Sequence, residues 1–265
     1  MITSYHVHSN LSDGQNTIRE FVHAAAEADI DEVGISDHYV LLPGGTTVDW
    51  SMPLDALPAY IDDIRAAADE IGDGVVVRYG LEADYDPDTA DELRGILQDY
   101  PFDYVIGAVH FVDGFPVDEC AENWNKLSQT ERNDLIRSYW TRIEQMAASG
   151  LFDFAAHLDL YKKFGHLPTI DISADIAAAL DALATAGMAA ELNTAGWKKP
   201  IGELYPSPDI IRECKARGIP VLINADAHKM ADLTLHYDHA EAILRDVGYT
   251  QKAVFQARQM TLVPL

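Results

Sequence analysis

Tyr5-His6-Val7-His8-Ser9-Asn10-Leu11-Ser12-Asp13-Gly14 is a short apolar run that ends in polar side chains. In a strand, residues two apart share a face, so His6 and His8 project together where the run from Met1 to Tyr5 stops. Two neighbouring imidazoles are a ready pair of metal ligands. Asp13, beside Gly14 in a predicted turn, is close enough in sequence to add a hard oxygen ligand. A lone His-x-His also occurs on half-exposed strands that bind nothing, so the reading depends on whether the pattern returns.

It returns along the whole chain. After a helical stripe of Ile18, Phe21, Val22 and Ala25, a strand over 31–36 runs into Asp37-His38. A Gly/Pro loop over 41–53 carries Trp50, placed to help cover a site. A helix follows with Leu54, Leu57, Ile61, Ile64, Ala68 and Ile71 at steps of three and four. The strand 74–81 ends at Glu82 and the strand 102–109 at His110, each led into by a helical pattern. Phe111 to Thr130 loses periodicity and is expected to be a long connection. Glu131 to Ser149 is predicted helix, closed by Gly150. The strand 152–156 then ends at His157. Ser173 is the expected N-cap of a helix stopped by Gly187, before Met188-Ala189-Ala190-Glu191-Leu192 leads to Asn193. Ser207-Pro208 opens another helix, and Ile219 to Ala225 leads to Asp226-Ala227-His228. A helix over 240–247 and an apolar tail complete the chain.

Seven strand–helix repeats with right-handed crossovers imply parallel pairing, and closure gives a TIM-like α/β barrel in which all strand C-termini share one rim. An open doubly wound sheet is the alternative, but it would not gather six strand ends around one pocket. At 265 residues, one domain over 1–265 is expected. No apolar run is long enough to span a bilayer, and His6 comes too early to leave room for a signal peptide. Cys120 and Cys214 are the only cysteines, with Cys214 in a helical pattern, which suits a reducing cytoplasm. A formal charge of −24 argues against nucleic acid or anionic membranes as partners. A small anionic substrate stays admissible, because bound cations dominate the local field.

Six of the ten histidines (His6, His8, His38, His110, His157 and His228) fall at predicted strand ends. With Asp13, Glu82 and Asp226 they make nine candidate ligands on one rim. Imidazole and carboxylate without thiolate suits zinc, manganese or iron. Nine ligands exceed the needs of one ion, so two or three are expected, with Glu82 placed to bridge. Ions a few ångströms apart activate a bridging water and hold a phosphoryl oxygen, the chemistry of phosphate ester hydrolysis.

His6-x-His8-Ser9 with Ser12-Asp13-Gly14, Ser36-Asp37-His38, Gly80-Leu81-Glu82, Gly107-Ala108-Val109-His110, Ala156-His157-Leu158-Asp159 and Asn224-Ala225-Asp226-Ala227-His228 resemble the ordered motifs of the polymerase and histidinol phosphatase (PHP) superfamily. Glu191-Leu192-Asn193-Thr194-Ala195-Gly196 and Leu204-Tyr205-Pro206-Ser207 resemble its histidinol-phosphatase branch. The resemblance implies a distorted seven-stranded (β/α)7 barrel with a trinuclear site, hydrolysing L-histidinol phosphate in histidine biosynthesis by attack of a metal-bridging hydroxide. It also implies that His6, His8, Glu82 and Asp226 hold one ion, that Glu82, His110 and His157 hold a second, and that Asp13, His38 and His228 hold a third. Glu82, Asp226 and His228 would then stand nearest the reaction, with Asp37 orienting a ligand imidazole from behind.

For the phosphate, cations outside the cluster are needed. Lys162 and Lys163 follow the His157 strand, and Lys198 and Lys199 follow Asn193, so Lys162, Lys163, Asn193 and Lys198 are the candidate substrate contacts. Lysine acts here as a point charge, where arginine would bind bidentately. Tyr39 and Trp197 are candidates to pack on an imidazole, and Asp84 and Asp159 to face a substrate amine or solvent. Another phosphate ester or a phosphodiester, an amidohydrolase activity and a metal-binding protein without turnover remain alternatives, as does self-association into a homo-oligomer.

Overall fold

The computed structural model of the protein describes residues 1–265. Its strands are β1 (Thr3–Ser4), β2 (Glu32–Ile35), β3 (His38–Tyr39), β4 (Val76–Tyr79), β5 (Glu82–Asp84), β6 (Ile106–Ala108), β7 (Phe111–Val112), β8 (Phe115–Pro116), β9 (Phe154–Ala155), β10 (Ala189–Asn193), β11 (Val221–Asn224), β12 (Gln251–Gln256) and β13 (Gln259–Pro264). The helices are α1 (Ile18–Glu27), α2 (Leu57–Ile71), α3 (Ala90–Gln98), α4 (Ala121–Asn125), α5 (Gln129–Ala148), α6 (Ser173–Ala186), α7 (Pro208–Ala216) and α8 (Tyr237–Val247). None is long and apolar enough to cross a membrane.

Two parallel sheets carry the fold, in the orders β1-β2-β4 and β11-β10-β9-β6-β5-β3. The expected strand 31–36 is seen as β2, with β3 a separate short strand beyond it, and the expected strand 74–81 as β4, with β5 separate from Glu82 on. Beside these gaps Tyr60 on α2 bonds the sheet, its Oη 2.9 Å from the Ile35 carbonyl and 2.7 Å from that of Gly80, while the Gly80 amide donates to Ile35 and the Glu82 amide to Asp37 to carry the pairing across. Opposite it, the Tyr104 ring fills the space left by two glycines. A Cβ on Gly34 or Gly80 would come within 2.0 or 2.3 Å of that ring or its hydroxyl. At the open edge, the His8 amide donates to the Ala227 carbonyl and the Ala227 amide to the His6 carbonyl, each at 2.9 Å. The segment after β1 thereby pairs with the segment after β11.

The two faces of the sheets bury different sets. A cluster of 52 buried residues packs the helices onto one face, with Phe21, Val22, Ile61, Ile64, Leu93 and Leu183 among them. Tyr5, Tyr104, Phe154 and Phe255 belong to a second cluster of 11, with Phe154 and Phe255 ring centres 5.4 Å apart. Fully burying one such side chain contributes about 1.5–3 kcal/mol. On strands facing this inner cluster, the apolar column turns polar toward the C-terminal end: Ile106 and Ala108 lead to His110, and Leu222 leads to Asn224 and Asp226.

Several expected local features differ. The 111–130 connection is no bare loop: β7 and β8 form an antiparallel hairpin around Asp113 and Gly114, both at positive φ, and α4 follows. α5 starts at Gln129 because Ser128 and Glu131 cap each other reciprocally. Ser173 lies inside α6 instead of capping it, and its amide donates to Asp171. The C-terminal tail is the β12–β13 hairpin, whose turn places Ala257 and Arg258 at positive φ. Asp103 holds that turn through the Ala257 and Arg258 amides.

Candidate metal centre

All nine predicted ligands arrive in one place, with Glu82 at its middle and 1% exposed. His157 Nε2 and His6 Nε2 lie 3.1 and 3.3 Å from its Oε1, and His38 Nδ1 and His8 Nε2 lie 2.6 and 3.6 Å from its Oε2. Asp226 Oδ1 is 3.1 Å from His8 Nε2, 3.6 Å from His6 Nε2 and 3.5 Å from His228 Nδ1. Asp13 closes the outer side, 3.2 Å from His228 Nε2 and 3.7 Å from His38 Nε2. Four overlapping groups could each hold an ion: His8, Asp13, His38 and His228; His6, Glu82 and His157; His6, His8 and Asp226; and His38, Glu82 and His110. His110 therefore groups with His38 across Glu82, whereas His157 groups with His6.

The donors fit metal ions on their own chemistry. Despite these approaches, His6 Nε2, both ring nitrogens of His8, His38 Nδ1, His157 Nδ1 and Glu82 Oε2 are buried with no hydrogen-bond partner. Buried polar atoms left unpaired are costly, and His6 Nε2, His8 Nε2, His38 Nδ1 and Glu82 Oε2 among them face one another. Glu82 and Asp226 have imidazoles as their only ion-pair partners. Burial pushes the Glu82 carboxyl up, but the His6 and His38 imidazoles outweigh it and hold it well below the usual carboxylate range. Asp226 is held low in the same way by His6, His8 and His228. Burial, reinforced by His38 and His228, brings His8 down to about 3. Two ligands also sit in the left-handed backbone region that side chains rarely adopt, Asp226 at φ 52° and His157 at φ 23°.

Two carboxylates hold the imidazoles from behind, Glu191, outside the expected site residues, and Asp84, expected to face a substrate amine or solvent. Glu191 Oε1 accepts from His6 Nδ1 at 2.7 Å, and Asp84 Oδ2 from His110 Nδ1 at 2.9 Å. Each contact turns the other ring nitrogen inward and fixes the tautomer. Their strand positions carried a readable signal, since Glu82-x-Asp84 and Glu191-x-Asn193 put both carboxylates on the same strand face as other site residues. Asp84 is thus no contact for a substrate amine. Asp159 is not one either: it is buried against Lys162 at 2.9 Å. Asp37 also acts differently from the expectation, for it touches no imidazole. It accepts from the Ser9 amide and hydroxyl, each at 2.7 Å, and from Ser12 Oγ. This shapes the turn that delivers Asp13, where a Cβ on Gly14 would overlap the His8 carbonyl.

A cavity of about 760 Å³ opens onto the cluster, lined by Asp13, His38, His110, His157, Asp226 and His228. Lys163 and Lys198 line it, each paired to a carboxylate: Lys163 with Asp118 at 3.0 Å and Lys198 with Asp232 at 2.7 Å. Lys162 departs from the expectation. Its single 3₁₀ turn points it inward, 2% exposed, onto Asp159, Glu203 and the Leu204 carbonyl. Asn193 is buried and donates to Glu191 and Asp226, so it braces the centre instead of lining the cavity. Tyr39 bonds the Leu54 carbonyl and Trp197 stacks on His239, so neither packs on a site imidazole. Trp50 does, 4.8 Å from His38 and 5.3 Å from His110.

Fold and centre together define a parallel α/β protein with a metal-competent cluster of histidines and carboxylates at the C-terminal ends of its strands. Residues 4–195 match the PHP domain, and the chain belongs to that family, in its histidinol-phosphatase branch. A protein named probable histidinol-phosphatase from Deinococcus radiodurans is 38% identical over 256 residues, covering 96% of both chains. The histidinol-phosphatase of Bacillus subtilis is 26% identical, over 88% of this chain and 96% of its own. Among solved structures, histidinol phosphate phosphatase from Lactococcus lactis, complexed with zinc, L-histidinol and phosphate, superposes with a TM-score of 0.81 over 98% of both chains at 23% identity.

Proposed function

We propose that the protein is a metal-dependent phosphomonoesterase that hydrolyses L-histidinol phosphate to L-histidinol and phosphate. The observation that carries this is the convergence of nine ligands with buried, unpartnered donor atoms, in a chain 38% identical to a named histidinol-phosphatase over nearly its full length. The two sheets, bonded to each other beyond β1 and β11, are read as one distorted seven-stranded (β/α)7 barrel forming a single domain over 1–265. The zinc, L-histidinol and phosphate bound by the Lactococcus protein support the same reading.

His6, His8, Asp13, His38, Glu82, His110, His157, Asp226 and His228 would hold two or three divalent ions, zinc, manganese or iron, in a trinuclear arrangement at full occupancy. Such ions supply a nucleophile from water at neutral pH and neutralise charge on phosphoryl oxygens. Glu82 lies beneath the cavity and holds the cluster together, while Asp226 and His228 line the cavity and meet the substrate as well. Lys163 and Lys198 place positive charge where the phosphate enters, as point charges that Asp118 and Asp232 hold in position. Glu191 and Asp84 keep two imidazoles aligned, and Asn193 steadies Asp226. The substrate is the proposed partner, in place of nucleic acid or membrane, and the cytoplasm the proposed location, which two unpaired cysteines suit.

Phosphate release from a panel of esters, with zinc, manganese and iron each loaded to confirmed occupancy, tests the proposal. Selective turnover of L-histidinol phosphate that chelation abolishes is expected. Preference for another ester would overturn the substrate, and no turnover with any metal would overturn the enzyme.

A further inference from the structure

The wall of the cavity beside the cluster is aromatic, and its rim is acidic. Trp50 crosses the His38 and His110 rings at 78° and 71°, and lies nearly parallel to Phe111, 6° between planes and 6.1 Å between centres. Trp50 and Phe111 both line the cavity and are only partly buried. An ester whose phosphorus sits at the cluster finds this aromatic wall within the same cavity for its organic group.

Charge at the same wall is unbalanced. Lys163 and Lys198 are taken up by Asp118 and Asp232, while Lys199 lines the cavity without an ion-pair partner. Asp49 and Glu119 also line the cavity, and neither has an ion-pair partner; Glu119 accepts only from Asn123 Nδ2. Set against Lys199, Asp49 and Glu119 leave the outer lining one carboxylate in excess, so with cations held at the cluster the cavity suits a molecule carrying phosphate at one end and positive charge at the other. A flat ring with a cation close to it fits such a wall best, because tryptophan offers a stacking face and gives the strongest cation–π attraction.

We infer that Trp50, backed by Phe111, is the specificity surface that receives the flat ring of the leaving group. This rests on the function proposed above and adds the residue that tells a ring-bearing amino-alcohol phosphate from a ringless one.

The experiment compares L-histidinol phosphate with the phosphate ester of 2-aminopropan-1-ol, which keeps the phosphate and ammonium and lacks the ring. In Trp50→Leu, the ratio of kcat/KM for the two esters is expected to fall about tenfold, mostly through KM, and Trp50→Phe is expected to restore most of it. An unaltered ratio in Trp50→Leu, with the wild-type enzyme active on L-histidinol phosphate, would overturn the inference alone. Wild-type enzyme inert toward L-histidinol phosphate would instead overturn the functional reading. If Trp50→Leu does not fold, L-histidinol is titrated into wild-type and Trp50→Phe protein and followed by tryptophan fluorescence. A change in emission lost in Trp50→Phe supports the inference, and the same change in both overturns it.

Discussion

Glu191→Gln changes one oxygen to an amide nitrogen without altering shape, at a fully buried side chain whose surroundings are all donors. Its two oxygens accept from His6 Nδ1 at 2.7 Å, the His157 amide at 3.1 Å, Asn193 Nδ2 at 3.0 Å and Asn224 Nδ2 at 2.9 Å. A glutamine keeps one acceptor oxygen and turns its NH₂ toward donors, so one pair of contacts is lost whichever way the amide is flipped. Each buried donor left unpaired costs about 1–3 kcal/mol, so metal-free protein is expected to lose about 2–6 kcal/mol of stability. Because His6 also loses the carboxylate that fixes its ring, metal affinity should drop about 10–100-fold. Competition against a chromophoric chelator measures the affinity, and denaturant unfolding of the metal-free protein measures the stability. Activity should recover in part at high metal concentration. Wild-type affinity together with a stability change below about 0.5 kcal/mol would refute the assignment of Glu191 as the group that orients His6.

The two lysine classes should separate cleanly. Lys162→Ala strands buried Asp159 beside Glu203 and should destabilise by about 3–5 kcal/mol, seen as a lower Tm. Lys198→Ala, at a half-exposed pair, should alter Tm little and instead raise KM and weaken inhibition by inorganic phosphate. Metal binding should release protons. Burial lowers His110 and His228, but Asp84 and Asp13 respectively outweigh it and push them up to about 10 and about 9, so in metal-free protein both carry protons at pH 7 that coordination must displace. Apparent metal affinity should therefore climb as pH rises toward 9–10. Over the same rise, stability that these protonated rings give the metal-free fold, fully present below their ordinary value of about 6.5, is lost. Calorimetry in buffers of different ionisation enthalpy would detect the protons, and affinity flat between pH 6 and 9 would contradict this.

The strand ends were readable because period-two burial makes a polar residue after an apolar run conspicuous, which is how Glu82, His110, His157 and Asp226 could be found without coordinates. What lay behind them was readable as strand position but not as contact. Nothing in Glu191 or Asp84 states that a particular imidazole sits 2.7 or 2.9 Å away, because that contact joins strands distant in sequence. Lys162 and Lys163 are adjacent and alike, and only the 3₁₀ turn decides that one faces inward and the other the cavity. The Asp113-Gly114 turn had its signature in plain view, whereas Ala257-Arg258 adopts a glycine-like turn that its side chains do not announce and that Asp103 holds in place.

The most direct measurement is anomalous diffraction at the zinc edge from crystals of zinc-loaded protein. Two or three peaks are expected within bonding distance of the nine named side chains, with the Glu82 carboxylate between two of them. A single peak, or peaks that leave Glu82 without a metal, would contradict a shared multinuclear centre.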